Sequence, residues 1–324
     1  MKTILIIGGA GYIGSILSKD LIKKNHKVIV IDDLIYGHKK PKIKKKNFIF
    51  LKKDQTTINK LKHLKNEIDT AIILSGLVGD PITKKYSKLS KKINNTDLKK
   101  TLFQLKKLKV NNLIFVSTCS NYGISKNNVI VNEKSKLKPV SLYAKDKVSI
   151  ENFIGRVFFK SKINSTILRF ATAFGHSERM RFDLTVNEFT KTLYEDKTLL
   201  VYDPYTWRPY CHVKDFSQII IKIINSDPKI FKNQIFNCGD NKNNYSKMKL
   251  VKTLKKFFPK GKIEFNYKKT KDLRNYKVNF KKLNNRLKIK INYGVEYGIK
   301  EIINHLKKKN YKKTKDNFGN YLIR

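Results

Sequence analysis

The sequence predicts an α/β protein in which a doubly wound parallel sheet is joined to a smaller mixed α/β domain. Three observations predict it. Short apolar runs alternate with amphipathic stretches of helix length through the first half of the 324 residues, the pattern of a parallel sheet covered by helices on both faces. The first apolar run ends in glycines, where such a sheet takes its tightest turn. After about Ala171 the alternation gives way to polar, aromatic, turn-rich segments. We expect a first domain over 1–172 and a second over 173–324, with part of about 208–239 returning to the first because it turns apolar again.

Each element follows from its spacing. Residues 3–7 form a continuous apolar run, the signal of a buried strand. Over 11–23, Ile13, Leu17 and Leu21 recur every four residues on one helical face, and Asn25 can end the helix. Residues 27–31, 48–51 and 70–74 read as further strands. The stretch 89–108 is helical, with Leu98, Leu102 and Leu105 in register, and 113–116 is another buried strand. A helix over 143–160 and a strand over 165–170 complete the alternation. The lysine-rich tail after about Leu306 is expected on the surface or mobile.

Composition narrows the function classes. Hydrophobic residues make up 40% of the chain, enough for a sizeable core. No apolar run is long enough to span a bilayer, and no charged-then-apolar leader precedes the first strand. Cys119, Cys211 and Cys238 are widely spaced and form neither a disulfide framework nor a metal-binding pair. A reducing, cytoplasmic setting without membrane partner or bound metal is expected. The formal net charge is +46, with clusters over 39–46, 268–271 and 307–313. The excess is mostly lysine spread along the chain, which lacks the planar fork that reads phosphates and bases. A solvated basic surface is expected, with weak, salt-sensitive attraction to nucleic acid rather than a specific nucleic-acid partner.

Ile6-Ile7-Gly8-Gly9-Ala10-Gly11-Tyr12-Ile13-Gly14 is the strongest local motif. Glycines there let the chain reverse, let backbone approach a pyrophosphate and let helix pack close to strand. Gly8, Gly11, Tyr12, Ile13 and Gly14 would form a cradle whose helix N-terminus faces the phosphates. Asp32 ends the second strand about 20 residues on, with Asp33 beside it. A carboxylate there accepts ribose hydroxyls and repels a 2′-phosphate, so NAD is the expected cofactor.

Tyr143 and Lys147 lie four apart at the start of a helix, hence on one face. An ammonium beside a phenol should lower the phenol pKa and make it a usable base. The pair follows Ser117-Thr118-Cys119-Ser120-Asn121-Tyr122-Gly123, a hydroxyl-rich segment leaving a central strand.

Together these motifs resemble the extended short-chain dehydrogenase/reductase family, whose dinucleotide domain is of the Rossmann type. More narrowly they resemble its NAD-dependent epimerase/dehydratase group, which is UDP-glucose 4-epimerase-like and modifies nucleotide sugars. The resemblance runs over roughly 2–305. It implies Tyr143 as general base or acid, Lys147 on the nicotinamide ribose and Thr118 on the reacting hydroxyl, with Ser117 the alternative if the register slips by one. It implies further cofactor contacts at Asp54, Gln55, Ser75, Gly76 and Asn95, although Gln55 departs from the usual hydrophobic residue. Cys119, Ser120 and Thr172 would line the substrate. Asn187, Arg208 and Arg274 would bind its diphosphate, a task that suits the bidentate fork of arginine. His212 and the cysteines read as structural, except that Cys119 is expected to line the pocket.

The resemblance implies a nucleotide-diphosphate sugar as substrate and a homodimer formed through the helices over 89–108 and 143–160. It implies oxidation of a sugar hydroxyl, at carbon 4, by hydride transfer to NAD. Return of the hydride to the keto sugar gives an epimerase; reoxidation elsewhere gives a dehydrogenase, and the reverse reaction a ketoreductase. The group's 4,6-dehydratases carry an Asp-Glu pair after the catalytic Thr, where this sequence has Cys119 and Ser120, so dehydration is not expected. A non-catalytic NAD-binding regulator and a nucleic-acid-binding protein are the remaining, weaker readings.

Overall fold

Strands that are apolar on both sides need cover on both faces, and the chain supplies it. The structure, a computed structural model, describes residues 1–125, 129–267, 274–308 and 318–323. Among these the strands are β1 (Thr3–Ile7), β2 (Lys27–Asp32), β3 (Phe48–Lys52), β4 (Thr70–Ile73), β5 (Asn112–Thr118), β6 (Ile130–Val131), β7 (Asn164–Phe170), β8 (Thr172–Phe174), β9 (Leu199–Tyr202), β10 (Trp207–His212), β11 (Gln234–Cys238), β12 (Asn244–Ser246), β13 (Ile263–Asn266) and β14 (Lys277–Val278). Seven form one sheet in the order β11-β7-β5-β4-β1-β2-β3. Every pairing in it is parallel. This is a doubly wound sheet of the Rossmann type.

Alternation along β1 sorts the two layers. Ile4 and Ile6 face a layer with Leu17 and Leu21 of the Gly14–Lys23 helix and Phe216, Ile219 and Ile220 of the Val213–Ile224 helix. Leu5 and Ile7 face the opposite layer, with Leu98, Leu102 and Leu105 of the Leu98–Lys107 helix and Ile150 and Ile154 of the Leu142–Val157 helix. These strand residues are wholly buried, each stabilising the fold by about 1.5–3 kcal/mol. A further cluster joins Phe174, Val201, Tyr210, Leu250 and Ile299, which come from β8, β9, β10 and two later helices.

The strand order reverses at β1, whose neighbours are β2 on one side and β4 on the other. The crevice beyond the carboxyl ends at such a point is where this architecture takes ligands. Asn320 and Tyr321 also reach it, and Asn320 is buried, contrary to the expectation of a surface tail, of which 309–317 lie outside the described residues.

The helix expected over 89–108 is interrupted. A helix over Ser87–Lys91 leads into a π-helical segment, Lys92–Asp97, before the Leu98–Lys107 helix begins. The widened turn brings Asn94 against the loop after β4. There its Oδ1 accepts from Leu77 N at 2.8 Å and its Nδ2 donates to Leu77 O at 3.0 Å. Such π segments recur at functional sites.

Candidate active site

A cavity of about 1270 Å³ lies over the switch point, more than a single drug-sized ligand fills. Its floor begins at the glycine turn. Gly8 has φ of +81°, and a Cβ there would meet Ser75 N at 2.5 Å. A Cβ on Gly14 would meet the Gly9 backbone at 2.5 Å. Side chains are therefore excluded where β1, the loop after β4 and the first helix come together. Gly8, Gly11, Tyr12, Ile13 and Gly14 all line the cavity. The Tyr12 hydroxyl donates to Gly175 O, tying this turn to the strand after β7.

Asp32 sits at the end of β2. Its Oδ2 accepts from Ala10 N and its Oδ1 from Leu34 N, each at 2.9 Å. Burial pushes its carboxyl up to about 6, against the pull of the Leu34 and Ala10 N–H groups. Asp33, Asp54, Gln55, Ser75 and Gly76 line the same side. Asp54 caps the segment after β3 by accepting from Thr56 N at 2.7 Å. Gln55 explains its own presence: its Oε1 accepts from Ser75 Oγ at 2.6 Å and its Nε2 donates to Ile93 O at 2.8 Å. The carboxylate at the strand end and the side-chain-free cradle fit a dinucleotide.

The expected catalytic set lines this same cavity. Thr118, Ser120, Tyr143 and Lys147 line the cavity, with Thr172, Arg208 and Arg274. Ser141 Oγ accepts from Ala144 N at 3.3 Å and starts the helix that carries Tyr143 and Lys147. Thr118 Oγ1 accepts from Ser120 N at 3.1 Å. Ser117 also touches the cavity, but its hydroxyl donates to Glu151 Oε1 at 2.5 Å. Glu151 in turn accepts from Arg169 Nη2 at 2.7 Å and Asn121 Nδ2 at 2.8 Å, a buried network behind the end of β5.

The electrostatics depart from the expectation for Tyr143. Burial pushes its phenol well above the usual tyrosine value, and the cations that act on it most are Arg181 and Arg274. Lys147 Nζ lies 5.8 Å from the Tyr143 ring centroid and is directed elsewhere. Burial lowers the Lys147 ammonium to about 8.

Three expected site residues are not brought to the cavity wall. Asn95 donates to Ser149 Oγ at 3.1 Å, and its neighbour Asn94 meets the Gly76–Leu77 loop instead. Cys119 is buried behind the strand end, where its thiol donates to Arg169 O at 3.2 Å. Asn187 is wholly buried: its Oδ1 accepts from Gly175 N at 3.0 Å, and its Nδ2 donates to Arg181 O at 2.9 Å and Tyr12 Oη at 3.1 Å. Arg274 does line the cavity, but its Nη2 pairs with Asp80 Oδ2 at 2.6 Å and its Nη1 reaches Ser120 Oγ at 3.3 Å. Arg208 donates to the Arg274 carbonyl and to Trp207 O. The residues over 268–273, including one basic cluster and the Asp272-Leu273 portion of the arginine motif, lie outside the described residues.

Several wall residues were not assigned to the site from the sequence, although the stretches 76–81 and 179–184 stand out there as marks of a subgroup. Arg179 and Arg181 enter from the loop after β8, and Arg181 forms a fork with Asp183 at 3.1 and 2.5 Å. Tyr36, His38, Asp80, Asn320 and Tyr321 also line the cavity. The signal for the two arginines was present, since arginine is scarce in a chain whose cations are mostly lysine.

The profile of the NAD dependent epimerase/dehydratase family matches residues 4–239. The chain belongs to that family. It is 26% identical over 275 residues to the UDP-glucose 4-epimerase of Lactobacillus helveticus, covering 78% of this chain and 81% of that one. Its fold is shared with the UDP-glucose 4-epimerase of Thermotoga maritima, solved with UDP-glucose, at a TM-score of 0.83 and 22% identity over 94% of this chain and 99% of that one. The UDP-glucuronic acid 4-epimerase of Bacillus cereus, solved with UDP-glucuronic acid and NAD, matches at a TM-score of 0.81 and 24% identity, with coverage of 94% and 99%. The family's cofactor is NAD, and the cradle and Asp32 are the residues of this chain that would hold it.

Proposed function

We propose that this family member is a nucleotide-sugar 4-epimerase acting as a cytoplasmic homodimer. The observation that carries the reading is that Thr118, Tyr143 and Lys147 share one cavity with the dinucleotide cradle and with Arg208 and Arg274. NAD, when bound, supplies the acceptor for the sugar's carbon-bound hydrogen and gives it back.

The chain's own groups divide the remaining work. Thr118 Oγ1 holds the reacting hydroxyl, and Tyr143, as its phenolate, takes that proton and becomes the phenol as the carbon-bound hydrogen leaves as hydride to NAD. Lys147 contributes a buried positive charge on the same helical face. Arg181 and Arg274 offset the burial that keeps the Tyr143 phenol protonated. The diphosphate lies against Arg208 and Arg274, whose guanidinium groups suit its oxygens. Cys119, turned away from the cavity, leaves no acid–base pair after Thr118 to drive loss of water. The likeness to a UDP-glucose 4-epimerase over most of both chains supports epimerisation over the related redox reactions.

The test is to denature the purified protein, identify the released nucleotides by mass spectrometry, and follow UDP-hexose stereochemistry at carbon 4 by NMR. Retained NAD(H) with interconversion of 4-epimers is expected, and Tyr143→Phe should slow it by about 10²–10⁴-fold. An empty protein that instead reduces a 4-keto sugar nucleotide with added NADH would make it a ketoreductase. Full activity in Tyr143→Phe would remove Tyr143 from the mechanism.

A further inference from the structure

We propose that Arg179, held by the C-terminal segment Phe318–Tyr321, binds the phosphates of the dinucleotide cofactor, so that the end of the chain forms part of the NAD site. The inference rests on the NAD reading of the cavity.

Arg179 lines the cavity yet is only 7% exposed. Its Nη2 donates to Gly319 O at 3.1 Å. Its Nε and Nη1 are buried and have no hydrogen-bond partner among the described residues. A buried guanidinium with unmet donors is costly unless an acceptor arrives. Arg179 lines the cavity, and we assign the missing acceptor to a ligand bound there.

The surroundings identify which ligand. Arg179 Cζ lies 5.1 Å from the centroid of the Tyr36 ring. Its charge acts on Asp32 and His38, beside the cofactor cradle, where Arg181 does not, and the two arginines share Tyr36. The cations that act most on Tyr143, at the reaction end, are instead Arg181 and Arg274. Arg179 therefore belongs to the dinucleotide side. Of the groups an adenosine-bearing dinucleotide carries, its phosphates are the natural match for a guanidinium fork.

The C-terminal segment fixes this arginine from behind. Phe318 O accepts from Phe182 N at 2.7 Å, and the two rings meet edge to face at 6.3 Å. Asn320 Nδ2 donates to Val78 O at 2.7 Å, and Val78 N donates to Tyr36 Oη at 3.1 Å. The segment thus joins the loop after β4 to the loop carrying Arg179, with the Gly319 carbonyl between the two anchors.

The test is calorimetric titration of nucleotide-free, full-length protein with ADP-ribose, adenosine and UDP. Arg179→Gln should weaken ADP-ribose binding about tenfold or more, and leave adenosine and UDP binding unchanged. Asn320→Ala and Phe318→Ala should weaken ADP-ribose in the same selective way but less, and they carry the test if Arg179→Gln does not fold. Unchanged ADP-ribose affinity in the folded variants would overturn the inference while leaving the NAD site standing. A loss confined to UDP would overturn it by moving Arg179 to the sugar nucleotide. Failure of the unmodified protein to bind ADP-ribose would overturn the cofactor reading as well.

Discussion

Lys147 Nζ donates to Val116 O at 2.8 Å and forms no bond with the Tyr143 hydroxyl. The ammonium is fully enclosed and also lies 4.7 Å from the Phe115 ring centroid. Four-residue spacing put both side chains on one face of the helix, but the β5 carbonyl competes for the lysine and wins. The pair is a shared face rather than a hydrogen-bonded couple.

An alkaline limb in the rate profile follows. Burial lowers Lys147 to about 8, so its charge is present below that pH and lost above it. Turnover that needs the ammonium should fall as the pH rises through about 8, well below an ordinary lysine. Lys147→Met should lower kcat at neutral pH and abolish this limb. A wild-type profile flat to pH 10 would contradict it.

Asp32 gives an acid limb in binding. Burial raises its carboxyl from 3.8 to about 6. Its protonated form is favoured in the folded protein, so its contribution to stability is present below pH 3.8 and lost as the pH rises through about 6. Cofactor affinity runs the other way, because ribose hydroxyls need the ionised acceptor. NADH fluorescence titrations should show binding weakening as the pH falls through about 6, and Asp32→Asn should bind weakly at every pH. Equal affinity at pH 5 and pH 8 would exclude the ribose role.

Legibility in the sequence followed how local the determinant was. The apolar runs over 3–7 and 27–31 need only their own residues to declare a buried strand, and the glycine turn needs only the absence of side chains. Asn94 could not be told from Asn95, because the choice depends on a π-helical turn that resets the helical phase by one residue. Cys119 follows Thr118 into a tight turn that carries its thiol to Arg169 O, away from the cavity. Asn320 is read as tail in sequence, and only the fold reveals Val78 as its partner, 242 residues away. The missed residues are those whose roles are set by contacts remote in the chain.

Glu151 and Arg169 make a buried pair at 2.7 Å that also holds Ser117 and Asn121. Removing one partner strands the other charge, which costs about 3–5 kcal/mol. Glu151→Leu or Arg169→Leu should therefore lower the urea midpoint sharply. The double Leu variant should recover part of the loss, since no lone charge remains buried. Single variants as stable as the parent would mean that water reaches this network.

Asn187 separates a structural from a substrate role. All three of its described bonds are internal, and they join Gly175, Arg181 and Tyr12. Asn187→Ala leaves Gly175 N and Arg181 O without that partner, a cost of about 1–3 kcal/mol for each buried group so exposed. Thermal unfolding should shift down, while KM for the sugar nucleotide, measured well below the new transition, should stay close to the parent's. A large rise in KM with unchanged stability would return Asn187 to the diphosphate.

The proposed dimer face carries its own warning. Phe103 is 48% exposed and packs edge-on to Phe153 at 5.2 Å, which joins the two helices expected to pair across a dimer axis. The same helix exposes Lys100, Lys106 and Lys107, so two copies meeting there would bring like charges together. Salt shortens the range of that repulsion to about 8 Å at physiological ionic strength. Light scattering should give twice the 37.9 kDa chain mass in moderate salt and a shift toward single chains as salt is removed. Phe103→Lys should give single chains throughout. A single-chain mass at every salt concentration would remove the dimer, and a salt-independent dimer would place its interface on another face.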